Sequence, residues 1–318
     1  MELKSDIDRI SKVIEDYGQG VFGKLGVDHV RKWLDQFENN HDVIAYETAN
    51  ILEKYYVTEK NMKDFSKIVI DCIREKLNDD FTIIETQGQK KSQTLIIDFI
   101  KKNGLSSEFF DTEEPKKNII YLDDFVFSGN TLQSDLRTWL GENLNVKNSI
   151  VRILTIGKYN YEANRQVKYL EGLFKERKIE FTIESLETFC FSDNFQLNSN
   201  SLNNEIIDMY ICNNLGGARV PPRVRGGYLI TDRTNREIYE TEMAKAGIKI
   251  INFCREPNKV MKPLGYSYVG LGFGGALFSY RNCPNTAPLA FWWGDPNPSN
   301  NDDNHPFRKW FPLMQRIY

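Results

Sequence analysis

NIIYLDDFVFSGNTLQSDL, residues 118–136, is the stretch on which the fold turns. Ile119, Ile120, Tyr121 and Leu122 form a short apolar run, fit for a buried strand over 118–122. The run leads directly into two carboxylates, Asp123 and Asp124. A small polar loop follows, with Ser128, Gly129, Asn130 and Thr131. A helix is then predicted over 129–143, with Leu132, Leu136, Trp139 and Leu140 on one face.

The same alternation extends outward. FTIIE (81–85) reads as a strand, TQGQKKSQ as a polar loop, and TLIIDFIKKNG as a helix ended by Gly104. Downstream, 149–157 and 179–184 read as strands around a helix near 163–177. Strands alternating with helices predict an α/β fold with a parallel, doubly wound sheet. A second alternating unit is expected at GGYLITD (strand), REIYETEMAKAG (helix) and IKIINF (strand, 248–253). Before the first strand, apolar stripes at helical spacing, such as Ile7, Ile10, Val13, Ile14 and Tyr17, predict helices. Past Lys262 the chain is rich in Gly, Pro, Asn and aromatics. The expected organisation is an N-terminal helical region (1–79), an α/β core (80–260) and an irregular C-terminal segment packed on that core (261–318).

Composition bounds the function. With 318 residues the chain can bury a sizeable core, and 27% charged with 13% aromatic residues describes a folded protein. The formal net charge of -3 gives no global basic field for nucleic acid. Five cysteines lack CxxC spacing and three histidines lie far apart, so neither a disulfide framework nor a zinc site is indicated. The charged N-terminus lacks a signal-peptide core, and no apolar run reaches membrane-spanning length. A reducing cytoplasm is the expected location, with no membrane partner.

The 118–136 segment places two chemistries side by side. A helix start leaves backbone N–H groups unpaired and carries partial positive charge, which suits a phosphate. Ser128 and Thr131 can add hydroxyl donors, and Gly129 permits close backbone approach. Asp123 and Asp124 lie at the carboxyl edge of the predicted sheet and can accept from vicinal hydroxyls. An anion site beside a diol site describes a ribose 5-phosphate.

On these residues the segment resembles the phosphoribosyl pyrophosphate loop of type I phosphoribosyltransferases. That signature is four hydrophobic residues, two acidic ones, and a loop ending in Thr-Gly-x-Thr or a close variant. The resemblance implies that Asp123 and Asp124 hold the ribose hydroxyls as the catalytic pair. It implies that Phe127, Ser128, Gly129, Asn130 and Thr131 wrap the 5-phosphate. Phe127 departs from the family, which usually has a small residue there. The family also needs a pyrophosphate loop after an earlier strand. Thr86, Gln87, Gly88, Gln89 and Lys90, with Lys91, are placed for it, although a polar connector accounts for them equally well. Mg²⁺ is the implied cofactor, held mainly by ligand oxygens and water.

Two further features are weaker. Gly270 to Gly275 contains a literal GxGxxG, but it lies outside a first βαβ unit and is read as a close-packed strand-loop. Trp292 and Trp293 can stack on a base, or pack a terminal segment onto the core. RKWLDQF near the start, DDFVFSGNT in the centre, and NTAPLAFWWG with KWFPL at the end narrow the resemblance. Together they resemble the phosphoribosyltransferase-like bacterial conflict effectors of anti-phage systems, including some retrons. That resemblance implies a toxic or nucleotide-modifying effector held in check by partners, and a complex of reverse transcriptase and nucleic acid is a candidate partner for the aromatic tail. A non-catalytic ribose-phosphate or nucleotide sensor, or a partner-binding module that kept the loop, remains the alternative. The acceptor stays open.

Overall fold

A computed structural model defines the fold. It describes residues 2–18, 21–77, 80–88, 91–111, 114–185, 190–191, 230, 232–267, 271–295 and 305–316. In chain order the elements are α1 (Leu3–Val13), α2 (Val27–Leu34), α3 (His41–Tyr55), β1 (Tyr56–Val57), α4 (Glu59–Leu77), β2 (Phe81–Ile84), α5 (Ser92–Lys102), β3 (Asn118–Val126), α6 (Asn130–Glu142), β4 (Ile150–Tyr159), α7 (Asn160–Leu173), β5 (Glu180–Ser185), β6 (Cys190–Phe191), α8 (Arg233–Asn252), β7 (Phe278–Ser279) and α9 (Leu289–Trp292). The sequence suggests three consecutive segments. By contacts the chain groups into two compact units: Met1–Glu59 with Asp193–Tyr318, and Lys60–Ser192.

The second unit carries the sheet. Its strands run β2-β3-β4-β5, all parallel, with β6 pairing the end of β4. Helices α5, α6 and α7 make the connections, as the alternation of strands and helices in the sequence predicts. One core cluster joins Ile119, Tyr121, Val151, Ile153 and Phe181 of the strands to Leu132, Leu136 and Leu140 of α6 and Ala163 and Leu170 of α7. Strand alternation at period two and helix spacing of three and four put these residues on facing surfaces. The chain is therefore α/β with a parallel sheet, as expected. The third strand is longer than the apolar run: β3 continues through both aspartates to Val126, because β4 pairs with it as far as Val126↔Lys158.

Arg177 closes the far end of this unit. Its guanidinium donates to the carbonyls of Leu140 (2.8 Å), Asn143 (2.5 Å) and Val146 (2.8 Å). These acceptors lie in the last turn of α6 and just past its end, where carbonyls lose their helical partners.

The first unit is helical and aromatic. Trp33 and Trp310 both donate their indole N–H to the Ala290 carbonyl, at 2.8 and 3.0 Å. Phe37 packs edge-on against both rings. The only sheet among its described residues is the short parallel pair β1 and β7.

One expected strand is a helix. The sequence pattern predicts IKIINF as a strand, but Ile248 to Asn252 continue α8. Ile248, Ile250 and Ile251 are all buried, as are Met243, Ala244 and Ala246. Burial around much of the helix circumference removes the polar stripe that would have revealed the period. Gly247 lets this helix approach the chain closely: a Cβ there would lie 2.4 Å from the Pro263 carbonyl oxygen. Most of GGYLITD, the strand expected before α8, lies outside the described residues.

Candidate functional site

The site grows from a mismatch in strand length. β2 ends at Ile84, which pairs with Tyr121, whereas β3 runs on for five residues. The edge of β3 beyond Tyr121 therefore needs other partners. The start of α5 supplies them. Gln93, fully buried, donates from Nε2 to the Leu122 carbonyl at 3.1 Å. Its Oε1 accepts from the backbone N–H groups of Thr86 (2.7 Å) and Gln87 (2.9 Å). The Thr86 hydroxyl adds a third bond at 3.2 Å. One amide thus fastens the loop after β2 to the acidic strand.

Asp123 lies inside this arrangement, 5% exposed. Its Oδ1 accepts from the Ser92 hydroxyl (2.7 Å) and from the Asp124 N–H (2.9 Å). Its Oδ2 lies 3.3 Å from both the Tyr121 hydroxyl and Gln87 Nε2. The same two donors reach Asp135 Oδ2 on α6, at 2.8 and 3.1 Å. Burial and the neighbouring Asp124 charge push the Asp123 carboxyl well above the usual carboxylate range, against the hydrogen bond from Ser92. Burial, with both carboxylates beside it, likewise raises the Tyr121 phenol, so it stays a donor. Asp124 is half-buried and its Oδ1 accepts from the Phe125 N–H at 2.8 Å. The adjacent aspartates therefore occupy different environments: Asp123 faces an internal network, while Asp124 retains solvent access.

The expected phosphate loop follows β3. Gly129 takes φ 73°, a left-handed conformation, and begins α6 as its N-cap. No side chain caps this helix, and Asn130 and Thr131 in its first turn are exposed. Gln166 on α7 braces the turn, donating to the Ser128 carbonyl at 3.0 Å. A Cβ on Gly129 would lie 2.4 Å from Gln166 Cγ. Phe127, the departure from the family pattern, stands between Phe125 and Tyr159, with ring centroids 5.8 Å from each. Its bulk is thus lodged among aromatics on the strand ends.

The remaining sequence expectations separate. Thr86, Gln87 and Gly88 lie beside the acidic strand, while Gln89 and Lys90 fall outside the described residues. Gly88 has no positive φ and open space where a Cβ would stand, so the fold itself does not require glycine there. Trp292 and Trp293 belong to the other unit and are buried, at 2% and 8% exposure. Trp292 donates to the Ala287 carbonyl at 2.9 Å, and Trp293 packs edge-on against Phe307. That is the packing role. Gly270 is outside the described residues. Gly272 sits at φ 135° against the Leu264 backbone, in the close-packed manner expected of the GxGxxG stretch.

Sequence reading missed Ser92, Gln93, Tyr121, Asp135 and Gln166 as parts of the site. Two of them carried a signal. Gln93 falls on the same helical stripe as Ile96, Ile97 and Ile100, and Gln166 lies between Ala163 and Leu170. A polar residue on a buried stripe needs a partner, which marks it for attention.

A parallel α/β sheet whose acidic strand turns through a left-handed glycine into an uncapped helix defines a phosphoribosyltransferase-like protein. The chain belongs to the PRTase-CE family, the phosphoribosyltransferase-like conflict effectors, whose sequence profile matches residues 30–316. No curated protein and no solved structure matches the chain.

Proposed function

We propose that the chain binds phosphoribosyl pyrophosphate, or a closely related ribose phosphate, and transfers the phosphoribosyl group to an acceptor. The observation that supports this reading most directly is the uncapped start of α6 at Gly129, five residues after the half-buried Asp124. The first-turn N–H groups, with the Ser128 and Thr131 hydroxyls, would receive the 5-phosphate. Asp124 would accept from a ribose hydroxyl and stabilise positive charge developing at C1 as pyrophosphate departs. Asp123 would act from behind, holding strand and loop in register. Among the described residues no group of three His, Cys, Asp or Glu is placed to hold a metal. An Mg²⁺ ion would accompany the ligand, carried mainly by ligand oxygens and water. Family membership supports an effector role, and we place that role in anti-phage defence of the retron type.

Titration calorimetry with phosphoribosyl pyrophosphate and Mg²⁺ tests the binding step. Wild type should bind, and Asp124→Asn should weaken binding about tenfold or more, as expected for losing a charge-assisted hydrogen bond. Pyrophosphate release with pooled nucleobases, nucleotides or cell extract tests transfer. Binding without release under every condition would identify a sensor, and an absence of binding would sink the reading.

A further inference from the structure

The loop after β2 is held by two glutamines that act in different ways. Gln93 holds its backbone, through the N–H groups of Thr86 and Gln87. Gln87 holds it by a side chain. Its Nε2 lies 3.0 Å from the Tyr121 hydroxyl, 3.1 Å from Asp135 Oδ2 and 3.3 Å from Asp123 Oδ2. Three elements thus converge on one amide: strand β3, helix α6 and the loop itself. Neither Asp123 nor Asp135 makes an ion pair among the described residues. Tyr121 has a single proton to donate to two carboxyls, so the Gln87 amide is the remaining donor that reaches both. Gln87 is only half-buried and Gly88 next to it is exposed, so packing alone does not hold this loop.

We propose that Gln87 is a positioning residue, tying the 86–88 loop to the Asp123–Asp135 carboxyl pair so that the loop can receive the pyrophosphate arm of the ligand. This rests on the ribose-phosphate reading above. It adds a specificity element to that reading: the polar cluster couples the pyrophosphate loop to the acidic strand and to the same helix whose first turn takes the 5-phosphate. Loss of the tether should therefore cost affinity for a ligand with a pyrophosphate and spare one without it.

The test compares two ligands on the full chain. Affinities for phosphoribosyl pyrophosphate with Mg²⁺ and for ribose 5-phosphate are measured in wild type, Gln87→Ala and Tyr121→Phe, with thermal unfolding as a check on folding. Gln87→Ala should lose about tenfold for phosphoribosyl pyrophosphate, while ribose 5-phosphate stays within about twofold. Tyr121→Phe should show the same selective loss, and it decides the matter if Gln87→Ala does not fold. Equal losses for both ligands would mean a general structural role and would overturn the proposal. Unchanged affinities, or a wild type that binds the two ligands equally, would overturn it too while leaving the ribose-phosphate site intact. A wild type that binds neither ligand would overturn the underlying reading as well.

Discussion

At Asp123 the carboxyl is 5% exposed, shares its donors with Asp135, and has Asp124 as a charged neighbour. Its folded pKa is raised, so the folded state binds the proton more tightly than the unfolded chain, where the ordinary value is 3.8. Between that value and the raised one, the unfolded state has lost the proton and the native state retains it. Stability contributed by this group is full below the unfolded pKa and declines as pH rises. Relative to Asp123→Asn, wild type should lose stability as pH rises across that window, measured by denaturant unfolding at several pH values. A pH-independent difference between the two would show that Asp123 is ionised in the fold. Gly129 is constrained by conformation and by space. Alanine there meets both a left-handed φ and the Gln166 side chain, so Gly129→Ala should destabilise by roughly 1–3 kcal/mol. Gly88→Ala, with open space and no positive φ, should leave the melting temperature unchanged. If Gly88→Ala weakens phosphoribosyl pyrophosphate binding, the ligand approaches the backbone at that point.

Among the elements, α8 carries the clearest lesson. Helix propensity favours alanine over glycine by roughly 1 kcal/mol, so propensity alone predicts that Gly247→Ala stabilises. The Pro263 backbone lies where the new Cβ would stand, and the two atoms that meet cannot both stay. Gly247→Ala should therefore destabilise, with the opposite sign to propensity, and a raised melting temperature would contradict the packing. At the other end of the sheet unit, Arg177 satisfies three carbonyls at and just past the end of α6. Arg177→Ala should cost about 1–3 kcal/mol, because these acceptors are only partly reached by water. The short β2 belongs to the same scale. Its end at Ile84 is what admits Ser92 and Gln93 to the β3 edge, so the site depends on a strand that stops early.

For the molecule as a whole, a ligand that binds only the native state adds stability by mass action. Phosphoribosyl pyrophosphate with Mg²⁺ at about one hundred times its dissociation constant should raise the unfolding free energy by about 2.7 kcal/mol. With affinity about tenfold weaker, Asp124→Asn should retain only about 1.4 kcal/mol of that gain at the same concentration. No described helix is long and apolar enough to cross a membrane. Cys72, Cys254 and Cys283 are free thiols, so no described disulfide contributes to this stability.

Much of the sheet was legible because its strands are apolar runs separated by helices with one apolar face, and each pattern has a single period. The acidic strand, the left-handed glycine and the start of α6 could be read from 118–136 alone, since turn and capping chemistry is local. The helical identity of 248–252 was hidden, because a helix buried on most sides has no polar stripe to display its period. The division of labour between Asp123 and Asp124 was hidden for a different reason. The two carboxyls are close enough for Asp124 to raise the Asp123 pKa, and which of them is enclosed depends on where β2 ends and how α5 and α6 dock. The sequence by itself determined a parallel α/β unit with an acidic strand running into a helix start. Only the tertiary structure decided that Gln87, Ser92, Tyr121 and Asp135 gather around Asp123, because hydrogen bonds across up to 48 residues of chain are set by packing rather than by local order.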